Sequence, residues 1–309
     1  MDLIFSKTIE GFSKYVKTNK PDLIMLHGDR LEAFAGAVVG AYNNILVGHI
    51  EGGEVSGTID NSIRHSISKL SHLHFVSNIS HKKRLIQLGE LKKNIFVIGS
   101  PDIDIMVSKK LPSILKVKKQ YKIFFKDYSI LIFHPVTTEV DNVSKQINLL
   151  INSLVESNKN YIIIYPNNDL GSNIIIKTIE KLKKNKRFKI FKTMRLTYFL
   201  TLLKNSNFVI GNSSAGIREA PFYGVPTINV GSRQYLRFKN KIIHNIDFSK
   251  KKILEIIKKL SKKRKRKSIK YFGDGKSALR FSKIISQDKF WKTKIQKYFI
   301  DKSYFDATN

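Results

Sequence analysis

Apolar positions along the chain follow two rhythms that alternate. Phe5, Ile9, Phe12 and Val16 recur at helical spacing and predict an amphipathic helix over residues 5–18. Leu23-Ile24-Met25-Leu26 is an unbroken apolar run, bounded by Pro21-Asp22 and by His27-Gly28-Asp29-Arg30, and predicts a buried strand. The pair then repeats. A helix over 31–41, rich in Ala and Gly and so suited to close packing, precedes a strand at Ile45–Val47. A helix from about Asp60, with Ile63, Ile67 and Leu70 on one face, precedes a strand at His74–Val76. A helix over 81–89 precedes a strand over 95–98. Pro112 and the Lys-rich stretch to Lys126 mark a boundary, after which the alternation resumes. Strands are expected at 129–133, 161–165, 188–191, 208–210 and 227–230, with helices over 143–156, 174–184 and 196–204. The tail from Lys250 reads as helical and strongly basic, with Phe290 and Trp291 packing against the body. Alternating strand and helix is the pattern of a parallel, doubly wound α/β sheet. Two such domains are expected, residues 1–110 and 111–309, with the functional cleft between them.

In sheets of this kind ligands sit beyond the carboxyl ends of the strands. HGDR, HIEGGE and IGSP fall at those ends, which places Asp29, Glu51 and the helix start at Asp60 on one rim. A lone acid in a loop is commonly just solvated; several converging on one rim are harder to read that way. In the second domain His134 follows a strand and precedes Pro135. The stretch Asn205–Arg233 then supplies a short strand, the turn Gly211-Asn212-Ser213-Ser214 and a helix start over Ala215–Ala220, with Ser213 or Ser214 as N-cap. A helix start leaves backbone N–H groups unpaired and carries positive partial charge, so it suits a diphosphate. The spacing fits an ordinary serine-capped turn equally well, and a histidine after a strand is as often structural as catalytic.

The formal charge of +32 changes the picture only in part. The excess is mostly Lys, spread along the chain, and its densest run, Lys262 to Lys267, reads as a solvated helix end or loop without interleaved aromatics. Non-specific polyanion binding at low salt is expected, and no specific nucleic-acid partner. The absence of cysteine excludes a disulfide framework and a thiolate metal site. No apolar run approaches membrane-spanning length, and the opening MDLIFSK lacks the apolar core of a signal peptide, so a cytoplasmic protein with no membrane partner is expected. The histidines are scattered without ligand spacing; neither a metal nor a cofactor is indicated.

HGDRLEAFAGA, HIEGGEVSGTIDNSIRHSISKLSHLHFVSN, IGSPDID and GNSSAGIREAPFYGVPTINVGSRQ together resemble the UDP-N-acetylglucosamine 2-epimerase family. The likeness runs from residue 1 to about 290, and the GTIDNSIRH segment is most similar to the hydrolysing branch, which serves sialic-acid-type sugars. The resemblance implies two Rossmann-like domains of the GT-B type around a cleft. It implies elimination of UDP across C1–C2 of the sugar, then addition of water to give the free 2-epimer. Asp29, Glu51 and Asp60 match the carboxylates for proton transfer, and His134 the histidine near the leaving group. Ser213 and Ser214 match phosphate contacts, Glu219 the ribose contact, and Arg30 and Arg233 arginines near the nucleotide. A UDP-sugar substrate and a homo-oligomer, dimer or tetramer, are implied by the same resemblance.

The chain departs from the family pattern twice. The family opens with a strand and a Gly-Thr-Arg-type loop that this sequence does not contain, so a first domain truncated at its N-terminus is expected. The family also places a small residue after GSRQ-X, where this chain has Leu236 ahead of Arg237. UDP-N,N′-diacetylbacillosamine is an alternative substrate for the same reaction, and a glycosyltransferase of the same fold a weaker alternative. An inactive truncated remnant, or a basic polyanion-binding protein, is the reading outside enzymology.

Overall fold

The computed structural model describes residues 2–234, 236–261 and 266–300; the part of the basic run at 262–265 lies outside the described residues. Two compact units emerge. The first begins with α1 (Asp2–Asn19), whose Ile9, Phe12 and Val16 pack inward as their spacing requires, while Phe5 stacks on Phe34 at 5.0 Å between ring centroids. Next come β1 (Leu23–His27), α2 (Leu31–Tyr42), β2 (Leu46–Ile50), α3 (Ile59–Leu70), β3 (Leu73–Val76), α4 (Ile79–Gln87), β4 (Ile95–Val97) and α5 (Pro101–Val107). The strands form a parallel sheet in the order β1-β2-β3-β4. β2 is almost wholly buried and β3 entirely so, as strands covered on both faces must be. The Gly-rich composition of α2 has its reason here. A Cβ on Gly40 would lie 2.4 Å from Val47 Cγ2, so only glycine lets the helix lie this close to the sheet.

The division between the units falls inside α5, after Asp104. The second unit contains α6 (Ile114–Gln120), β5 (Ser129–Ile132), α7 (Val143–Glu156), β6 (Tyr161–Ile164), α8 (Ser172–Glu180), β7 (Phe188–Phe191), α9 (Leu196–Lys204) and β8 (Val209–Gly211). It continues through α10 (Glu219–Phe222), β9 (Thr227–Val230), β10 (Ile243–Ile246) and α11 (Lys250–Leu260). Its parallel sheet runs β10-β9-β8-β5-β6-β7. Leu131, Phe133, Ile163, Ile210 and Ile228 from the central strands meet α7, α8 and α11 in a continuous core.

The tail differs from expectation. Residues 271–300, assigned above to the second domain, belong to the first unit. Phe281 of α12 (Ser277–Ile285) and Phe290 of α13 (Asp288–Trp291) reach Phe75 at 4.9 and 6.3 Å between centroids, burying a face of β3 that would otherwise be bare. The backbone N–H groups of Ser277 and Ala278 donate to the Asp104 carboxylate at 3.0 and 2.8 Å, which caps the start of α12. Apolar spacing on a short helix does not say which sheet it will cover. Among the described residues no helix is long and apolar enough to cross a membrane.

Candidate functional site

The carboxyl ends of the unit 1 strands hold the expected acids in a network centred on an arginine. Glu51, just past β2, is buried and sits in left-handed backbone conformation at φ 69°, which is uncommon for a residue other than glycine and turns its carboxylate into the rim. Ser100 Oγ donates to Glu51 Oε1 at 2.9 Å, and His27 Nε2 lies 3.3 Å from Oε2. Glu51 N–H donates to the Phe75 carbonyl at 3.0 Å, tying the turn to β3. Arg64 of α3 is 1% exposed and gathers the remaining groups. It forms an ion pair with Asp29, donates to the Glu51 carbonyl at 3.3 Å and faces Glu54 at 3.7 Å. Asp60 stands in the first turn of α3, one helical turn before Arg64.

His49 holds the Asp29 loop from below. Its Nε2 lies 2.8 Å from the Gly28 carbonyl, which can only accept, so Nε2 carries the proton and Nδ1 faces the Ser68 hydroxyl at 3.0 Å. Burial disfavours the imidazolium and depresses the His49 pKa to about 3, so this ring is a neutral strut. Among the described residues one group has its donor atoms spaced for a cation: His27, Glu51 and Asp102, all within 4.8 Å of one another. Sequence spacing could not reveal it, because the three residues stand at the end of β1, just past β2 and in the first turn of α5.

Unit 2 organises its own rim around Asn212, which is buried at the end of β8. Its amide accepts from His134 N–H at 2.7 Å and donates to the His134 carbonyl at 2.8 Å, locking the β5 and β8 loops together. The His134 ring is oriented in turn by Asn167. Asn167 Nδ2 donates to Asp169 at 2.5 Å, so its oxygen faces His134 Nδ1 at 3.0 Å, and its backbone N–H points at the same ring nitrogen at 3.2 Å, so both groups of Asn167 hold the ring's orientation. The Asn212 carbonyl receives Arg233 at 3.3 Å and Gln234 at 3.1 Å. Gly211, at φ 126°, must be glycine: a Cβ there would lie 2.0 Å from the Ile132 carbonyl oxygen.

The serine turn is tighter than expected. Ser213 caps it by accepting from Ala215 N–H at 3.3 Å, as read from the sequence, but the chain then makes a 3₁₀ turn over Ser214–Gly216 and enters the single-turn α10 at Glu219. Two features break the expected helix. Thr227 Oγ1 claims the Gly216 carbonyl at 2.6 Å, and Pro221 has no N–H to return to Ile217. Arg30 occupies the exposed N-cap position of α2 without a side-chain cap bond. Leu236 has φ 60°, a conformation that glycine adopts freely, so the departure noted in the sequence falls on a left-handed residue.

Within unit 1 the structure thus joins Asp29 and Glu51 through Arg64; within unit 2 it joins His134 and Arg233 through Asn212. Arg64, His27, Ser100 and Asn167 were missed. Only Arg64 left a signal, its i,i+4 spacing from Asp60 on a helix face otherwise turned toward the core.

Two parallel α/β units of this order make a GT-B-like fold. The chain belongs to the UDP-N-acetylglucosamine 2-epimerase family, whose sequence model matches residues 1–286. A UDP-N-acetylglucosamine 2-epimerase of Neisseria meningitidis serogroup B is 46% identical over 304 residues, covering 97% of this chain and 80% of that protein. A UDP-N,N′-diacetylbacillosamine 2-epimerase (hydrolyzing) of Legionella pneumophila is 37% identical over 277 residues, covering 89% of this chain and 73% of its own length. In three dimensions the chain is similar to the Methanocaldococcus jannaschii UDP-GlcNAc 2-epimerase solved with UDP-GlcNAc and UDP. The TM-score is 0.77 at 22% identity, over 91% of this chain and 80% of that one, a likeness of fold.

Proposed function

We propose that this chain is a hydrolysing 2-epimerase acting on UDP-N-acetylglucosamine. The observation that carries the reading is the buried Glu51 carboxylate, held at a strand end by Ser100 and His27, in a chain 46% identical to a protein named for that epimerisation. A base removes the C2 proton, the C1–O bond breaks, and its electron pair leaves with UDP to give a 2-acetamidoglucal. Water then adds its hydroxyl at C1, and C2 takes a proton on the opposite face, releasing N-acetylmannosamine. Asp29, Glu51 and Asp60 divide the proton transfers, since a buried carboxylate beside others can be tuned for acid or base work. His134, its Nδ1 edge held by Asn167, turns Nε2 to the leaving diphosphate and as imidazolium stabilises the departing UDP. Ser213, Ser214, Arg30 and Arg233 bind the nucleotide phosphates and Glu219 the ribose, in a homo-oligomeric assembly.

The diacetylated substrate is the second reading, favoured by the Legionella relative and by a GDP/UDP-N,N′-diacetylbacillosamine 2-epimerase (hydrolyzing) of Campylobacter jejuni at 37% identity. The test is UDP release from both UDP-sugars with the product sugar identified by NMR. Free N-acetylmannosamine supports the first reading and the diacetylated epimer the second. A UDP-linked epimer without UDP release would overturn the hydrolysing type.

A further inference from the structure

A cavity of about 600 Å³ opens in unit 2 beyond the carboxyl ends of β9 and β10. Two of its lining residues are buried amides. Asn229 is 2% exposed and stands opposite Asn245 in the β9–β10 register, donating to the Asn245 oxygen at 2.8 Å. The remaining polar atom of the Asn229 amide is buried with no hydrogen-bond partner. Exchanging the amide's oxygen and nitrogen leaves one polar atom unsatisfied either way. A strand interior has no use for an amide in that state, which costs roughly 1–3 kcal/mol when left unsatisfied. Gln234, the second buried amide, already spends both its groups, on the Asn212 carbonyl at 3.1 Å and on Arg237 at 3.2 Å.

The rest of the lining is suited to one chemistry. Ser232, whose hydrogen goes to Glu139, is left to accept, and Asn245, whose oxygen takes the Asn229 bond, is left to donate, so the two together suit vicinal hydroxyls. Phe238 supplies an apolar face for the C–H side of a pyranose. Lys239 and Lys252 outnumber the single carboxylate, Asp247. Among the described residues the lining holds no histidine and no pair of carboxylates, so it suits binding rather than reaction. We propose that this cavity binds a small anionic sugar, a sugar acid or a sugar phosphate, with the exposed Asn245 amide, held in place by Asn229, on its hydroxyls and Lys239 and Lys252 on its charge. The site stands independently of the epimerase reading. Its wall residue Gln234 shares the Asn212 carbonyl with Arg233, so occupancy is sensed one residue away from the unit 2 rim.

The experiment is calorimetric titration of the full chain with glucuronate, with glucosamine 6-phosphate and with neutral glucose, in about 0.15 M salt to suppress diffuse attraction to a basic protein. The expected result is saturable binding of at least one anion and none of glucose, unaffected by excess UDP. Glucuronate or the phosphate as the tighter ligand decides between the two sources of charge. Lys252→Glu weakens binding by about tenfold or more, while Lys258→Glu, on the same helix but outside the lining, leaves it within about twofold. Asn229→Leu, folded by its melting transition, abolishes it. The proposal is overturned if neither anion saturates, if UDP displaces the anion, or if Lys252→Glu and Lys258→Glu act alike.

Discussion

Glu51 carries more constraints than any other residue of the unit 1 rim: left-handed backbone, burial, a serine on one oxygen and a histidine near the other. Backbone strain of about 1–3 kcal/mol at a buried carboxylate is retained where chemistry needs the group there. Glu51→Gln keeps the shape and the Ser100 contact but cannot take a proton. It should lower kcat by about 10²–10⁴-fold with UDP affinity changed less than about threefold, measured by UDP release and by titration. His49 makes a different prediction. Its pKa is about 6.5 when unfolded and about 3 when folded, because burial disfavours the charged ring. The unfolded chain therefore binds a proton that the folded chain refuses, and stability falls as pH drops below 6.5 toward 3. Burial lowers the His74 pKa as well, which adds to the same slope. Denaturant melts should show a loss of about 1.5 kcal/mol or more between pH 6.5 and 5, and His49→Gln should flatten that slope; a stability that does not change over this range would contradict the neutral strut.

At the scale of elements, the C-terminal segment is tied to the helix that presents Asp60 and Arg64. Lys297 donates to the carbonyls of Ser68, Lys69 and Ser71 at 3.4, 2.8 and 2.6 Å, so it satisfies the C-terminus of α3, where a cation also complements the helix dipole. The same ammonium meets Glu90 at 2.7 Å, and Glu90 in turn accepts from His74 Nε2 at 3.0 Å. Burial opposes ionisation of Glu90, but the bonds from His74 and Lys297 outweigh it and hold the pKa at about 2. Removing Lys297 takes from the buried Glu90 carboxylate the nearer of its two cations and leaves Lys69, at 3.1 Å, on the other oxygen. Lys297→Met should cost about 3 kcal/mol and raise amide exchange selectively at the end of α3, while Lys297→Arg should recover part of both. None of this was legible in the sequence, where Lys297 is one lysine among many. The alternation of strand and helix was legible, because buried parallel strands are written as apolar runs. β10 was missed because Ile243-His244-Asn245-Ile246 lacks such a run. The helix expected over Ala215–Ala220 is broken by Pro221, a breaker visible in the sequence, and by the Thr227 bond to Gly216, which is not.

At the scale of the whole molecule, what the sequence left out is contact between distant loops. Asp29 and Glu51 were readable as strand-end residues because strand ends are readable, and Asp60 as the start of a helix. The Arg64 ion pair, the His27–Glu51 approach and the Asn167–His134 bond exist only once the loops are folded together. Charge is the opposite case, since +32 is fully visible and says little about fold. Local anionic structure persists within it: the unit 1 rim gathers Asp29, Glu51, Glu54 and Asp102, whereas much of the excess lysine lies on exposed helix faces such as those of α11. A diffuse lysine surface attracts polyanions by releasing their counterions and holds them without register. The chain should therefore bind heparin and duplex DNA alike at about 0.02 M salt, and the affinity should fall by about 10³-fold or more between 0.05 and 0.2 M. Fluorescence anisotropy across that series measures the slope. Binding to one nucleic acid that survives about 0.15 M salt, with a preference for sequence or structure, would mean that the lysines form a built interface rather than a solvated coat.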